Sequence, residues 1–291
     1  MYVWLAQDRG IFAKNGVNVE SVGLSGQAQM QAVVAGEAEG TVHTGADLVF
    51  TTQAQGTDMK IVATGSQVDN DLLVAGNDIQ SVEQLRGKKV GAQSLTAGNG
   101  QTTRRLMAKY GLQDGKDYTL VVTGSAGTSA GALAALVAHQ VDAVAVPPAL
   151  ASPAIKQGQV HLLVDLAARS DLPIGSNVFA LKTGYVQQHP DIVQKVVDSL
   201  IESVRLINQD KGAAEAELKT RFKLDDQAAL DEEWQRQVEV LAKTPLPRKE
   251  DFGDVIAAMP KDIKPLTDAQ LDAMLDPTFV NDAVKRGLTK F

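Results

Sequence analysis

Residues 88–148 read KKVGAQSLTAGNGQTTRRLMAKYGLQDGKDYTLVVTGSAGTSAGALAALVAHQVDAVAVPP, and this stretch decides the fold. Lys88–Gln93 is a short apolar strand. A helix follows from Gly98 to Tyr110 and stops at Gly111. Tyr118–Thr123 is a second strand, Thr128–Ala138 an alanine-rich helix, and Val141–Val146 a third strand stopped by Pro147-Pro148. Strands alternating with helices of this length predict parallel α/β layers.

The same grammar extends in both directions. Upstream, the pattern predicts a helix over 2–15 ended by Gly16, a strand over Val17–Val22, and a helix from the Ser25 cap to Ala35. Next come a strand at Thr41–His43, a helix at Asp47–Gln55, and strands at Lys60–Thr64 and Leu72–Ala75. Downstream lie a helix over 149–157 and strands over 160–164 and 177–181. From Pro190 onward the chain turns helical, with one apolar face running from Ile192 to Ile207.

Two segments repeat. Ala13-Lys14-Asn15-Gly16-Val17 parallels Ala108-Lys109-Tyr110-Gly111-Leu112, and Ala32–Glu39 parallels Ala135–Asp142. Two similar α/β lobes follow. In the second unit a strand precedes the first helix, while its counterpart would fall before Met1. The expectation is that lobe one lacks its first strand. A start codon set too late, or a trimmed chain, explains this, and any export signal would then lie upstream as well.

The composition narrows the classes. The chain has 291 residues, room for about two domains. Asp and Glu number 35 against 28 Lys and Arg, a net charge of -7 with no basic stripe, which argues against nucleic acid and anionic membranes. With no cysteine there is no disulfide, thiolate metal site or thiol nucleophile. No run of 18 apolar residues is present, as a spanning helix requires.

The string WLAQDRGIFAKNGVNVE (Trp4–Glu20) is similar to the opening of substrate-binding proteins of ABC importers. The subfamily is the NMT1-like one that serves taurine, alkanesulfonates, nitrate, bicarbonate and thiamine-pyrimidine precursors. Ala32–Glu39, Ile79–Val90 and Ala135–Ala143 carry further matches in order, nearly across the whole chain. Glu39-Gly40 departs from the usual Asp-Phe or Asp-Ala. The resemblance implies a two-lobed periplasmic-binding-protein clamp of type II-like α/β architecture with a helical C-terminal part. Lobe one would comprise 1–76 plus 182–291 and lobe two 77–181, with hinges near Val74–Asn77 and Val178–Lys182. Ligand would sit between the lobes, and the closed form would be read by a membrane permease. The resemblance also implies a periplasmic, monomeric protein without cofactor.

Ligands of parallel α/β lobes gather at the carboxyl ends of strands, where helix N-termini favour anions. Five loops qualify. They centre on Ser25 and Gln27, Thr44, Ser66, Thr96 with Asn99 and Thr102, and Ser125 with Thr128. They hold hydroxyls, amides and glycines, but no Lys or Arg. Trp4 and Trp234 are candidate aromatic walls, and Pro147 a candidate rim. Each loop taken alone reads equally as turns and caps.

Catalytic alternatives are weak. Gly127-Thr128-Ser129-Ala130-Gly131 matches G-x-S-x-G, but the preceding strand ends too early for a nucleophile elbow and no His follows in a suitable setting. The four His lack metal-ligand spacing. The pyrimidine-synthase branch of the family needs a Cys-rich motif that is absent. The favoured expectation is a binding protein for a small organic anion, a sulfonate such as taurine or an alkanesulfonate first. The rivals are a serine hydrolase using Ser129, or an orphan receptor for an aromatic carboxylate or pyrimidine.

Overall fold

The structure is a computed structural model that describes residues 1–24, 26–66, 68–93, 95, 99–123, 128–168, 177–222, 225–257, 259, 263 and 266–291. In chain order its elements are α1 (Tyr2–Asp8), α2 (Ile11–Lys14), α3 (Gly26–Ala35), β1 (Gly40–Gly45), α4 (Ala46–Ala54), β2 (Met59–Thr64), β3 (Leu72–Ala75), β4 (Lys89–Ala92), α5 (Asn99–Lys109), β5 (Thr119–Val122), α6 (Ser129–Val137), β6 (Ala143–Val146), α7 (Pro148–Lys156), β7 (His161–Asp165) and β8 (Asn177–Lys182). Then come α8 (Thr183–Gln188), α9 (Pro190–Gln209), α10 (Lys211–Phe222), α11 (Gln227–Val240), α12 (Gly253–Ala257), α13 (Asp268–Met274) and α14 (Thr278–Lys285). Two short 3-10 turns, Val82–Leu85 and Lys249–Phe252, complete the set.

The chain forms two compact units. Unit 1 holds Met1–Gln67, Pro173–Lys223 and Trp234–Phe291, and unit 2 holds Val68–Leu172 and Leu224–Glu233. The crossings fall earlier in sequence than the cuts expected at 76/77 and 181/182. The reason is pairing: β3 bonds to β6 and β7, and β8 bonds to β1 and β2, so each crossing strand belongs wholly to one sheet. The first part of α11 also counts with unit 2, although the whole C-terminal part was expected in lobe one.

The sheet of unit 2 has the order β5-β4-β6-β3-β7. Its β4 runs parallel to both β5 and β6, while β3 is antiparallel to β6 and β7. β3 and β6 are buried at every position, as strands covered on both faces are. The sheet of unit 1 is β1-β8-β2, antiparallel throughout. Successive residues of β8 point to opposite faces. Phe179 and Leu181 join a core with α1, α2, α9 and α14, whereas Val178 and Ala180 join one with α3, α4 and the 3-10 turn at Phe252. Unit 1 is therefore a sheet sandwiched between two helical layers.

The 20-residue α9 is the main cover of the first face, burying Val193, Val196, Val197, Leu200, Ile201, Val204 and Ile207. Its buried Ser199 and Ser203 hydroxyls bond back to Lys195 O (2.7 Å) and Ser199 O (2.8 Å), so small polar residues sit inside without stranded donors. Asn15 Nδ2 donates to Ser199 Oγ at 3.0 Å, tying the end of α2 to this helix.

Three sequence expectations need correction. Val17–Val22 forms no strand, because no described strand lies next to β1 for it to pair with. The helix expected over 2–15 is two helices, broken where Gly10 adopts φ 66°, a left-handed conformation that costs glycine little. α8 and α12 are additional. The departure at Glu39-Gly40 finds a steric reason: a Cβ on Gly40 would lie 2.2 Å from Ala180 O and 2.8 Å from Leu181 Cα, so only glycine lets β1 meet β8 there.

On the second face, Phe50 and Phe252 are both fully buried and meet edge to face, ring centroids 5.4 Å apart. Phe252→Ala is expected to cost about 3–5 kcal/mol. Urea unfolding of the variant checks this, and a loss below about 1 kcal/mol would show that the C-terminal segment contributes little to this core.

Candidate functional site

In unit 2 three parallel strands each run into a helix at their carboxyl ends. β4 leads toward α5, β5 toward α6, and β6 directly into α7. None of these helices has an acidic residue in its first turn, so no first-turn carboxylate offsets the positive dipole end, which favours an anion.

Asn99 opens α5 and braces this end. Its Oδ1 accepts from Gln93 N at 3.0 Å, and its Nδ2 donates to Ala145 O at 3.2 Å, linking the ends of β4 and β6. Gln93 Nε2 in turn donates to Ser129 Oγ at the first residue of α6. Thr128 is the N-cap of α6, its Oγ1 accepting from Gly131 N at 3.1 Å. Pro147 sits at the N-cap of α7 with Pro148 at its first position, where a missing N–H costs nothing. The polar groups gathered here, Gln93, Asn99, Thr128 and Ser129, are all uncharged. Gln93 was not singled out in the sequence. Its signal was an amide closing a buried strand just before a glycine-rich loop.

Thr102, one turn into α5, has another role. It is 2% exposed, and its Oγ1 donates to Asp69 Oδ2 at 2.9 Å. Asp69 Oδ1 also accepts from Asp71 N at 2.9 Å. Buried Glu233 accepts from Asn70 Nδ2 at 3.5 Å. The hydroxyl of Thr102 is thus committed to a carboxylate rather than presented to a ligand.

In unit 1 the start of α3 meets the end of β1. A Cβ on Gly26 would come 3.4 Å from Thr44 Oγ1 and 2.8 Å from Leu48 Cδ1. Thr44 is buried, and its Oγ1 makes no hydrogen bond among the described residues, which is unusual for a buried hydroxyl. Gln27, the second residue of α3, follows Gly26 and is exposed. The N-terminus of α4 carries Asp47 in its first turn, so its dipole is already partly met. Ser66 lies at the end of β2, buried and bridged to Leu241.

The two tryptophans differ. Trp4 on α1 is 37% exposed, with the Arg221 guanidinium 5.3 Å over its ring. Arg221 is itself held by Asp8 (2.5 Å) and Glu217 (2.7 Å). Trp234 is packed against the α9 core. Its Nε1 donates to Ile207 O at 2.8 Å, and Lys211 lies 5.2 Å from its ring centroid. Ser25, Thr96 and Ser125 lie outside the described residues. Among the described residues no group of three His, Asp or Glu is arranged to hold a metal ion.

This arrangement of sheets and helix starts has known relatives. The profile described as "NMT1/THI5 like" matches residues 1–212. The chain belongs to the NMT1/THI5-like family. A curated relative from Brucella abortus (strain 2308), named only as a binding protein, is 27% identical over 234 residues, covering 79% of this chain and 69% of its own. Among solved structures, the alkanesulfonate-binding protein SsuA from Xanthomonas axonopodis pv. citri, bound to MOPS, has a TM-score of 0.73 at 18% identity, covering 97% of this chain and 93% of that one. The periplasmic nitrate-binding protein NrtA from Synechocystis PCC 6803 has a TM-score of 0.75 at 16% identity, covering 98% and 85%. This NMT1/THI5-like chain therefore has the α/β fold of these periplasmic binding proteins. The fold also serves catalysis elsewhere: the desulfurization enzyme DSZB has a TM-score of 0.69 at 16% identity, covering 98% and 96%.

One electrostatic feature of unit 2 predicts a pH dependence of stability for this member of the NMT1/THI5-like family. Burial, then the charges of Asp69 and Glu233, hold the Asp71 carboxyl well above the usual carboxylate range. The folded protein therefore binds this proton more tightly than the unfolded chain. The stability it contributes is complete below the unfolded pKa and is lost as pH rises through the raised one. Asp71→Asn is expected to raise the unfolding midpoint at pH 8 more than at pH 4. Equal shifts at both pH values would show that Asp71 does not titrate differently on folding.

Proposed function

We propose that the protein is the substrate-binding component of an ABC importer and captures a small organic anion, a sulfonate such as taurine or an alkanesulfonate first. The observation that carries this reading is the set of helix N-termini at the carboxyl ends of β4, β5 and β6. They are free of acidic first-turn residues and furnished with the uncharged Gln93, Asn99, Thr128 and Ser129. A carrier must release what it binds. Neutral donors and helix dipoles hold an anion without the tight pairing of a buried guanidinium. The buried, unbonded Thr44 Oγ1 offers a further donor in unit 1. The loops holding Ser25, Thr96 and Ser125 belong to the same proposed donor set. Family membership and the sulfonate- and nitrate-binding neighbours support the same class. On this reading the protein works in the periplasm as a monomer, with a membrane permease as its partner, and performs no catalysis.

Thermal unfolding against taurine, alkanesulfonates, nitrate, aromatic carboxylates and pyrimidines tests the class. A true ligand at 100 times its Kd adds about 2.7 kcal/mol. Response to a sulfonate is the expected outcome. No response to any anion, together with ester hydrolysis that Ser129→Ala abolishes, would replace this reading with the hydrolase one.

Thr128→Asp tests the site. Aspartate caps a helix as well as threonine does, so stability without ligand is expected to hold within about 0.5 kcal/mol. Sulfonate affinity should fall about tenfold or more, as a fixed negative charge enters the α6 N-terminus. Unchanged affinity by calorimetry would remove that helix from the site.

A further inference from the structure

Parallel pairing places Thr123 beside Gln93. β4 and β5 run in register from Lys89↔Thr119 to Ala92↔Val122, and Thr123 N donates to Ala92 O at 3.0 Å. One step further, Thr123 and Gln93 are neighbours at the carboxyl ends of the two strands. Their common face follows from alternation. Gly91 pairs with Val121 on one side and Val144 on the other, and both valines pack in the core that α6 covers with Ala132, Ala135 and Leu136. Gln93 and Thr123, two residues on from Gly91 and Val121, therefore face α6. Gln93 reaches it, donating from Nε2 to the Oγ of Ser129, the first residue of that helix.

Thr123 is 5% exposed, and its buried Oγ1 makes no hydrogen bond to any described residue. A buried hydroxyl normally has a partner, and one without costs stability. Gly91 gives this hydroxyl its room. A Cβ at position 91 would lie 3.0 Å from Thr123 Oγ1, 2.9 Å from its Cγ2 and 2.8 Å from Val144 Cγ1. Around it the other bonds are settled. Gly131 N donates to Thr128 Oγ1 at 3.1 Å and Ala132 N to Thr128 O at 3.0 Å. Ser129 Oγ accepts from Gln93, so its own proton points elsewhere. What this end of α6 still offers is donors: the N–H groups of Ser129 and Ala130 and the hydroxyl protons of Ser129 and Thr123.

We propose that Thr123 is a ligand-binding residue whose hydroxyl donates to the oxyanion head of the captured molecule at the N-terminus of α6, with Gly91 as the positioning residue that makes space for it. The contrast with Thr102 in the same unit is direct, since that hydroxyl is already given to Asp69. The recurrence is also informative. Thr44 and Thr64, near the carboxyl ends of β1 and β2, are likewise buried threonines whose Oγ1 has no partner among the described residues. Carboxyl ends of strands are where α/β sheets take their ligands. This inference rests on the anion-binding reading above and adds to it the residue that holds the head group in unit 2.

Calorimetry with methanesulfonate and taurine, which share a head group and differ in the tail, decides it. Thr123→Val removes the hydroxyl at nearly constant shape. Affinity for both ligands is expected to fall about tenfold and by the same factor, as a hydrogen bond to a charged group is lost. Thr123→Ser should keep most of the affinity. Without ligand, the unfolding midpoint of Thr123→Val should hold or rise, because an apolar group replaces an unpaired buried hydroxyl. A hydroxyl with a structural role would lower that midpoint and leave affinity alone, which would overturn the proposal. Tight binding by the wild-type protein and equally tight binding by Thr123→Val would overturn it while the anion-binding reading stands. A loss confined to taurine would also overturn it, by placing Thr123 at the tail. Failure of the wild-type protein to bind methanesulfonate, taurine or nitrate would remove the reading on which it rests.

Discussion

Each unit is built around a strand that must be hydrogen-bonded on both edges. In unit 1 it is β8, held between β1 and β2, and in unit 2 it is β3, held between β6 and β7. A buried strand cannot leave its N–H and C=O groups unpaired, so neither sheet exists without its crossing strand. β8 reaches its partners only after the chain has run through the first part of unit 2. The core of unit 1 depends on this same strand, since its alternate residues seed both helical layers. A sheet closed by such distant pairing has a high contact order, and loop-closure entropy must be met before its contacts form.

That architecture also decides where binding chemistry can sit. Parallel strands bring successive helix starts to one end of a sheet, and the free N–H groups there attract anions without any charged side chain. Unit 2 has three such starts without an acidic residue in the first turn. Two of its carboxylates, Asp69 and Glu233, accept hydrogen bonds from Thr102 and Asn70 instead. One unit thus holds both a neutral donor set and a cluster of carboxylates.

Most elements were legible because their signals are local. Gly16, Gly36, Gly56 and Gly111 each follow the end of a helix in a left-handed conformation, and glycine is the residue that makes such a stop inexpensive. The apolar face of α9 and the short apolar strands β3, β6 and β8 are likewise written in periodicity. Val17–Val22 has the alternation of a strand yet forms none, because a strand is a pair property and its partner position is empty among the described residues. Of the candidate site, Asn99, Thr128 and Pro147 could be placed at helix starts from cap and turn chemistry alone.

By itself the sequence determined the alternation of strands and helices, the repeat, the family and the uncharged character of the loops. Each of these is carried by neighbours within one turn or by composition. Tertiary structure alone decided that Thr102 serves Asp69, that Gln93 joins Asn99 and Ser129, and that Trp234 belongs to the α9 core. It alone decided that glycine at position 40 answers to the backbone of β8. Those partners are distant in the chain, and a side chain's hydrogen-bond commitments are set by what folding brings within about 3 Å of it.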